Sequence, residues 1–168
     1  MVGYVSYFLI DLFSGYLQEP LDVSSRDLTT IRTPIGLLRL TRLPMGGTNS
    51  VAVFQRRVAF ILHEEIPDIC LPFIDDIGGK GLATTEGDRT IADNPKIRQW
   101  VWEHFVRFER ILFRLEEAGL TASGPKLVPA APAISILGTH VSAEGKRADI
   151  KKVDKLRNWP VPKSVSDV

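Results

Sequence analysis

Two adjacent carboxylates, Asp75 and Asp76, stand inside a largely apolar run over residues 69–79. Ionised carboxylates are costly beside buried strand residues unless something compensates their charge. Because consecutive strand side chains point to opposite faces, an uninterrupted strand would bury one of the two. A tight turn between two short strands would lift both to the tip of a hairpin, and Gly78 and Gly79 suit such a turn. The sequence therefore predicts a carboxylate-bearing hairpin in this region.

A second apolar run, at residues 7–10, ends in another carboxylate, Asp11. If this run is a strand beside the 69–79 hairpin, three carboxylates meet in one sheet. Paired aspartates bind hard cations, of which Mg2+ is the usual one. Three carboxylates carry enough negative charge for two divalent ions roughly 3.5–4 Å apart, the arrangement used for phosphoryl transfer. Taken alone, the Asp-Asp pair also fits an ordinary polar surface turn.

Length and composition indicate one globular domain. The chain has 168 residues, of which 44% are hydrophobic and 24% charged, and this is enough for one core. The single cysteine cannot form an internal disulfide, which fits a reducing compartment. No apolar run reaches the roughly 18 residues expected of a membrane span, and the first residues lack a signal-peptide pattern. We therefore expect an intracellular protein, cytoplasmic or nuclear, that is not secreted and has no membrane partner.

The charges are unevenly distributed although the net charge is only +1. Residues 26–57 and 146–163 are rich in Arg and Lys, whereas residues 63–93 between them are rich in Asp and Glu. This layout is expected of a metal site flanked by surfaces that bind phosphate groups. Ordinary solvated faces would give the same pattern, so charge alone leaves both interpretations open.

Apolar periodicity predicts two helices. The first has Asn49 as its N-cap and apolar side chains at helical spacing over residues 53–62. The second opens with Asn94 as N-cap and Pro95 at the first helical position, and it ends before a C-cap glycine, Gly119. The apolar face of this second helix is predicted to comprise Ile97, Val101, Phe105, Phe108, Leu112 and Leu115.

The rest of the chain is predicted as strands, turns and loops. Residues 36–43 are expected to form a strand and residues 133–143 a hairpin. Residues 80–93 are polar and lack an apolar period, so we interpret them as a flexible insertion. Strands and helices are mixed without strict alternation, which indicates an α+β fold.

Five motifs resemble, in the same order, the palm of a reverse transcriptase. The first three are Asp11–Tyr16, then Leu43–Gly46 with Asn49 and Phe54-Gln55, then Phe73–Asp76. The last two are Ser123–Lys126, similar to a lysine-bearing motif, and Ile136–Gly138 with Val141-Ser142 and Glu144-Gly145, similar to a hairpin that grips the primer. Arg157–Pro160 and Pro162 resemble the exit from palm to thumb. The resemblance runs from about Tyr7 to the C-terminus and is greatest to the gypsy lineage of long-terminal-repeat retrotransposons, of fungal type.

This resemblance implies a polymerase palm, a small antiparallel sheet backed by two helices, with partial fingers and no thumb. It implies one partial reverse transcriptase domain over residues 1–168, in which residues 157–168 begin the connection to the thumb. The implied activity is RNA-directed DNA polymerisation, by two-metal transfer of a nucleotide from dNTP to a primer 3′-hydroxyl on an RNA or DNA template. The implied partners are a template–primer, dNTP and the rest of a retroelement polyprotein, including RNase H and integrase.

The resemblance also assigns catalytic roles. Asp11, Asp75 and Asp76 would bind two Mg2+ ions, with Mn2+ as a substitute. The carbonyl of Leu12 would help to hold the metal of the nucleotide. Lys126 matches a general acid for the pyrophosphate leaving group, although a surface lysine needs no special role.

Two further sets of residues are implied to bind substrates. The nucleotide-binding set is Phe13, Tyr16, Met45 and Gly46. Tyr16 occupies the steric-gate position that excludes a ribose 2′-hydroxyl, and a tyrosine packed in the core is an equal alternative. Met45 would lie under the nucleotide sugar, unless it only packs its loop. The nucleic-acid-binding set is Arg42, Gly138, Lys151, Lys152 and Lys155.

Several residues depart from the family pattern, notably Gly47, Ser50-Val51 and Glu19-Pro20, the last of which would interrupt a strand expected to continue after Gln18. Only ten residues precede Asp11, where the family has fingers strands that hold the triphosphate. Two main hypotheses follow. The chain is part of an RNA-directed DNA polymerase, or it is a catalytically silent retroelement remnant that at most binds nucleic acid. A metal-dependent nuclease or cyclase with a similar carboxylate layout is a third.

Overall fold

The computed structural model describes residues 1–85, 87, 89–159, 161 and 164, and for Lys151 and Leu156 it describes the backbone alone. Pro160 and Pro162, which resemble the exit to the thumb, lie outside the described residues. The expectation that residues 157–168 begin this connection therefore stays a prediction.

The described residues form eleven strands and four α-helices. The strands are β1 Tyr7–Asp11, β2 Ile31–Thr33, β3 Gly36–Leu38, β4 Cys70–Phe73, β5 Asp76–Lys80, β6 Thr90–Ile91, β7 Asn94–Arg98, β8 Val128–Ala131, β9 Ala133–Ile136, β10 Thr139–Ser142 and β11 Gly145–Ala148. The helices are α1 Gly15–Gln18, α2 Ser50–Ile61, α3 Gln99–Glu117 and α4 Ile150–Arg157. Short 3-10 turns occur at Val23–Thr29, His63–Glu65 and Gly124–Lys126. No helix within the described residues is long and apolar enough to cross a membrane.

The central sheet has the strand order β4-β5-β1-β8, with antiparallel pairing throughout. It confirms that the first apolar run is a strand beside a hairpin over residues 69–79. Asp11, the last residue of β1, pairs in register with Asp76, the first residue of β5. Directly opposed residues of an antiparallel pair point to the same face. The register therefore delivers both carboxylates to one face at one end of the sheet.

Alternate residues of β1 enter two different cores. Phe8 and Ile10 belong to the larger core, which includes residues of α2 and α3. Tyr7 and Leu9 belong to a smaller core with residues of β9 and β10. Because strand side chains alternate, Asp11 lies on the face of the smaller core. The α+β fold expected from the sequence, with two helices behind a small antiparallel sheet, is confirmed.

The glycines after the carboxylates are not turn residues, so that prediction was wrong. Gly78 and Gly79 lie inside β5, opposite Leu9 and Phe8 of β1. A Cβ on Gly79 would overlap the Phe8 ring, so this glycine makes room for a core side chain. The turn itself consists of Ile74 and Asp75, because the strands pair up to Phe73 and Asp76.

Helix α3 begins at Gln99 and not at Pro95, so the predicted start was wrong. Asn94 and Pro95 lie in β7, which pairs with β6. The Asn94 side chain accepts the N–H of Lys96 at 3.1 Å, so it caps a turn, which competes with a helix start. The C-terminal prediction was correct, because Gly119 follows the helix with a left-handed φ of 71°.

The buried face of α3 consists of His104, Phe108, Ile111 and Leu115. The predicted face was therefore right at Phe108 and Leu115 and wrong at Phe105, which is exposed. The predicted Leu112 also packs, partly buried, against the larger core, and the residues that the apolar pattern missed are His104 and Ile111. His104 is buried with both ring nitrogens hydrogen-bonded.

Other boundaries also differ from expectation. The strand predicted over residues 36–43 is confined to β3, and residues 15–18 form α1, so Pro20 interrupts no strand. The insertion predicted over residues 80–93 is partly ordered, since Lys80 ends β5 and residues 90–91 form β6. Its flexibility stays a prediction. The hairpin predicted over residues 133–143 is present and is extended by β11 into a three-stranded sheet.

A buried thiol and a buried carboxylate complete the helical side of the core. Burial, followed by the negative charge of Glu65, raises the pKa of the Cys70 thiol to about 12. Glu65 is itself buried and accepts from Arg110 Nε of α3 at 2.6 Å. Cys70 is thus an unreactive core residue.

The His104 network predicts how stability depends on pH. His104 Nε2 lies 2.8 Å from the carbonyl of Pro129, which can only accept, so Nε2 carries the proton and Nδ1 accepts from Ser6 Oγ at 2.8 Å. Burial lowers the pKa of His104, and the charge of Arg107 acts in the same direction, although the bond to Pro129 opposes it. The unfolded chain therefore binds a proton more readily, and the free energy of unfolding should fall as pH drops below about 6.5.

We expect urea unfolding, followed by tryptophan fluorescence, to show lower stability at pH 5.5 than at pH 7.5. His104→Gln should cost about 1–3 kcal/mol at pH 7.5 through its altered hydrogen bonds, and it should flatten the pH dependence. His63→Gln, at an exposed histidine, is the matched control and should retain the wild-type slope. If the free energy of unfolding of His104→Gln depended on pH as steeply as that of wild type, His104 would not be the source of the pH dependence.

Candidate active site at the carboxylate edge

The three predicted carboxylates lie where β1 ends and the 74–75 turn begins. Asp75 occupies the turn, and its backbone oxygen accepts the N–H of Leu12 at 2.8 Å. Asp11 and Asp76 face each other across the β1–β5 pair. The Leu12 side chain is buried in the larger core, so its backbone stays fixed between two carboxylate-bearing residues.

The charges of these groups act on one another. Burial raises the pKa of Asp76, and the negative charges of Asp75 and Asp11 raise it further. Lys126 opposes this effect. A cation at this edge would relieve the repulsion that the charges of Asp75 and Asp11 exert on Asp76.

Lys126 forms an ion pair with Asp11. Its Nζ atom lies 3.0 Å from Oδ2 and 3.2 Å from Oδ1 of the carboxylate. The lysine side chain is 67% exposed, whereas that of Asp11 is only 16% exposed. The hydrogen bond and charge of Asp11, and then the charges of Asp75 and Asp76, raise the pKa of Lys126. The lysine predicted as a proton donor is therefore held protonated beside the predicted metal ligands.

The donor chemistry fits a hard divalent cation, because all three side chains are carboxylates. Nevertheless, among the described residues no group of three or more His, Cys, Asp or Glu side chains is arranged to hold a metal ion. Asp11 is turned toward the Lys126 ammonium instead. The carboxylates share an edge and an electrostatic environment, and their joint ligation of an ion stays a prediction.

A glutamine of α2 supports the carboxylate turn. Gln55 Oε1 accepts the N–H of Ile74 at 2.5 Å, and its Nε2 donates to the carbonyl of Pro72 at 3.3 Å. Ile74 has a left-handed φ of 58°, which is unfavourable for a β-branched residue. The sequence presents Gln55 only as part of a motif, since nothing in it shows that α2 packs against this turn.

The predicted nucleotide-binding residues differ in their surroundings. Tyr16 is half-buried and stacks on Phe54, with ring centroids 5.1 Å apart. This contact is the one expected of a core tyrosine, the alternative to a steric gate. Phe13 and Met45 are 60% and 73% exposed. Gly46 has a positive φ of 87°, so the loop that holds Met45 needs glycine at this position.

The predicted nucleic-acid-binding residues lie in two separate regions. Arg42 lies beside α1, whereas Gly138 and the three lysines lie at the β9–β10 turn and on α4. Arg42 Nη1 donates to the carbonyl of Gln18 at 3.0 Å, so this arginine has a structural contact. Gly138 lies in the β9–β10 turn with a φ of 72°, and a Cβ there would overlap the end of the Lys152 side chain. Lys155 is exposed on α4. Lys151 is on the same helix, but its side chain lies outside what the structure describes.

No family model matches the chain. The chain is 31% identical to the "Retrovirus-related Pol polyprotein from transposon opus" of Drosophila melanogaster, over 99% of this chain and 15% of that protein. It is 27% identical to the corresponding polyprotein from transposon gypsy of the same species, again over 99% and 15%. The chain thus spans about 15% of the length of these curated relatives.

Solved structures agree with these relatives. The foamy viral protease-reverse transcriptase in complex with double-stranded DNA superposes with a TM-score of 0.81 at 25% identity, over 99% of this chain and 26% of that chain. The same protein in complex with an RNA/DNA hybrid gives a TM-score of 0.80 at 25% identity, over 99% and 20%.

The sequence likeness, the superposition and the order of the motifs all point to one family. They leave the nuclease or cyclase hypothesis without support. The fungal subtype stays a prediction, because these two polyproteins come from an insect. The homologues of this chain are Pol polyproteins of gypsy-type retrotransposons and a foamy viral protease-reverse transcriptase, and its described residues have a partial reverse transcriptase fold.

Proposed function

We propose that this segment carries the catalytic metal centre of an RNA-directed DNA polymerase, with Asp11, Asp75 and Asp76 as ligands of two Mg2+ ions. The observation that carries the proposal is the register of β1 against β5, which opposes Asp11 to Asp76 beside the Asp75 turn. The fold and the retroelement relatives support the same function. The substrates would be dNTP and a template–primer, and the remainder of a Pol polyprotein would be the partner.

When bound, such ions activate a primer 3′-hydroxyl and neutralise the charge of a triphosphate. The chain's own residues hold the geometry for this chemistry. The Leu12 N–H fixes the backbone of Asp75, and the Gln55 amide fixes the preceding residue. The Lys126 ammonium at this edge, once released from Asp11, would be the proton donor to a departing pyrophosphate.

Lys126 has a second consequence for metal binding. Its ammonium neutralises Asp11, so a divalent ion at this carboxylate must compete with it. Removal of the lysine would leave three carboxylates with less compensating charge. We therefore infer that Lys126 weakens metal binding while it serves as a proton donor.

Metal titration tests the centre directly. Binding of Mn2+, followed by its electron paramagnetic resonance signal, should weaken at least tenfold in Asp75→Asn, because one anionic ligand is removed. Lys126→Ala should bind Mn2+ more tightly than wild type. Asp93→Asn, at an exposed carboxylate in the β6–β7 turn, is the control and should leave the affinity unchanged. Equal affinities for wild type and Asp75→Asn would reject the proposed centre.

Primer extension separates a polymerase from a silent remnant. We expect weak extension of a primer on an RNA template, because this chain spans about 15% of the length of the related polyproteins, and remote contacts that position substrates would come from the rest of such a protein. Any extension should disappear in Asp75→Asn with the circular dichroism spectrum unchanged. Extension that persists in Asp75→Asn would exclude this site as its source, and Mn2+ binding without any extension would favour the remnant.

The α4 lysines predict a salt-dependent interaction with nucleic acid. If Lys152 and Lys155 bind phosphates, the double change to Ala should make the negative slope of log affinity against log salt shallower, by about 0.9 for each phosphate that is no longer neutralised. The loss should not depend on sequence, because phosphate contacts carry none. Fluorescence anisotropy with an RNA/DNA hybrid measures the slope. Lys96→Ala, at an exposed lysine of β7, is the control, and a slope unchanged in the double variant would mean that these lysines are only solvated.

A further inference from the structure

The side chain of Gln18, at the end of α1, joins two separate segments of the candidate active site. Its Nε2 donates to the carbonyl of Phe13 at 2.5 Å and to the carbonyl of Thr121 at 3.0 Å. Its Oε1 accepts the N–H of Thr121 at 2.6 Å. Both amide protons and the amide oxygen are therefore engaged, although the side chain is only half-buried.

The two segments that Gln18 joins are the continuation of β1 and the chain that leads to Lys126. They run antiparallel as a short ladder. The N–H of Phe13 donates to the carbonyl of Thr121 at 2.9 Å, Leu12 forms a bridge with Ala122, and the N–H of Ser123 donates to the carbonyl of Asp11 at 2.7 Å. Gln18 closes the open end of this ladder, and Asp11 and Lys126 lie at its other end.

The backbone at the end of α1 connects the ladder to a third segment, residues 42–43. The carbonyl of Gln18 accepts from Arg42 Nη1 at 3.0 Å, and the carbonyl of Glu19 accepts the N–H of Leu43 at 2.9 Å. Pro20 forms a bridge with Arg42. Gln18 is thus itself anchored, so its amide can hold the ladder in a fixed register.

We propose that Gln18 is a positioning residue that keeps the Lys126 ammonium on the Asp11 carboxylate. The inference rests on the proposed metal centre for its functional meaning, since Lys126 there sets the charge that a metal ion meets. The mechanism is geometric. Without the amide, the end of the ladder loses three hydrogen bonds and keeps only its backbone bonds, so the segment that carries Lys126 is held less firmly beside β1.

The test compares Gln18→Met with wild type, because Met keeps the length of the side chain and removes all three hydrogen bonds. Gln99→Met is the matched control, since Gln99 is also a surface glutamine, whose Nε2 donates to Glu103 within α3. The first measurement is amide hydrogen exchange, resolved by NMR, without metal. We expect Phe13, Thr121 and Ser123 to exchange at least tenfold faster in Gln18→Met. Leu12, whose N–H is bonded to Asp75 on the hairpin side, should be unchanged.

A double-mutant cycle measured by Mn2+ affinity adds a test that a merely structural role of Gln18 would leave unchanged. Gln18→Met should tighten Mn2+ binding about two- to fivefold by releasing Lys126 from Asp11, and it should have no further effect in the Lys126→Ala background. Additive effects of the two changes, or an unchanged Mn2+ affinity in Gln18→Met alone, would overturn the positioning role.

Failure of the metal centre can be told apart from failure of the Gln18 proposal. If no variant binds Mn2+, the proposed function fails, and hydrogen exchange alone then decides the role of Gln18. Faster exchange at Ser123 in Gln18→Met, but not in Gln99→Met, would uphold that role. Wild-type exchange at Phe13, Thr121 and Ser123 would reject it, whatever the metal titration shows.

Discussion

The antiparallel register of β1 against β5 is the constraint on which the carboxylate edge depends. Asp11 and Asp76 are brought face to face by the β1–β5 register, with Asp75 in the adjoining turn. Such an arrangement is costly in a folded chain unless cations compensate it. Lys126 is the cation that the chain itself supplies, and its contact with Asp11 links the start of the sequence to a segment more than a hundred residues away.

Two side-chain amides hold the backbone on either side of the three carboxylates. Gln55 binds the turn before Asp75, and Gln18 binds the ladder beyond Asp11. Behind them, β1 is buried on both faces, by α2 and α3 on one side and by β9 and β10 on the other. The carboxylates are therefore placed by rigid elements, which suits a site that must keep its geometry while charge is added and removed.

The sequence predicted the local elements well wherever an apolar run ended in a charge or a glycine ended a helix, as at Asp11, the 69–79 hairpin and Gly119. It failed where long-range packing decides. Gly79 resembles a turn residue, and only the position of the Phe8 ring reveals why glycine is needed there. The Lys126–Asp11 pair and the hydrogen bonds of Gln18 and Gln55 join segments that are distant in the chain. No local sequence pattern could show these contacts.

The central claim is that the carboxylate edge is a metal centre in which a divalent ion takes the place that Lys126 holds. A crystal structure of the chain grown with Mn2+, with anomalous diffraction at the manganese edge, tests it most directly. The account predicts an anomalous peak within about 2.0–2.3 Å of carboxylate oxygens of Asp11 and Asp75, with the Lys126 ammonium displaced from Asp11. A peak elsewhere, or Lys126 still paired with Asp11 and no ion at this edge, would contradict it.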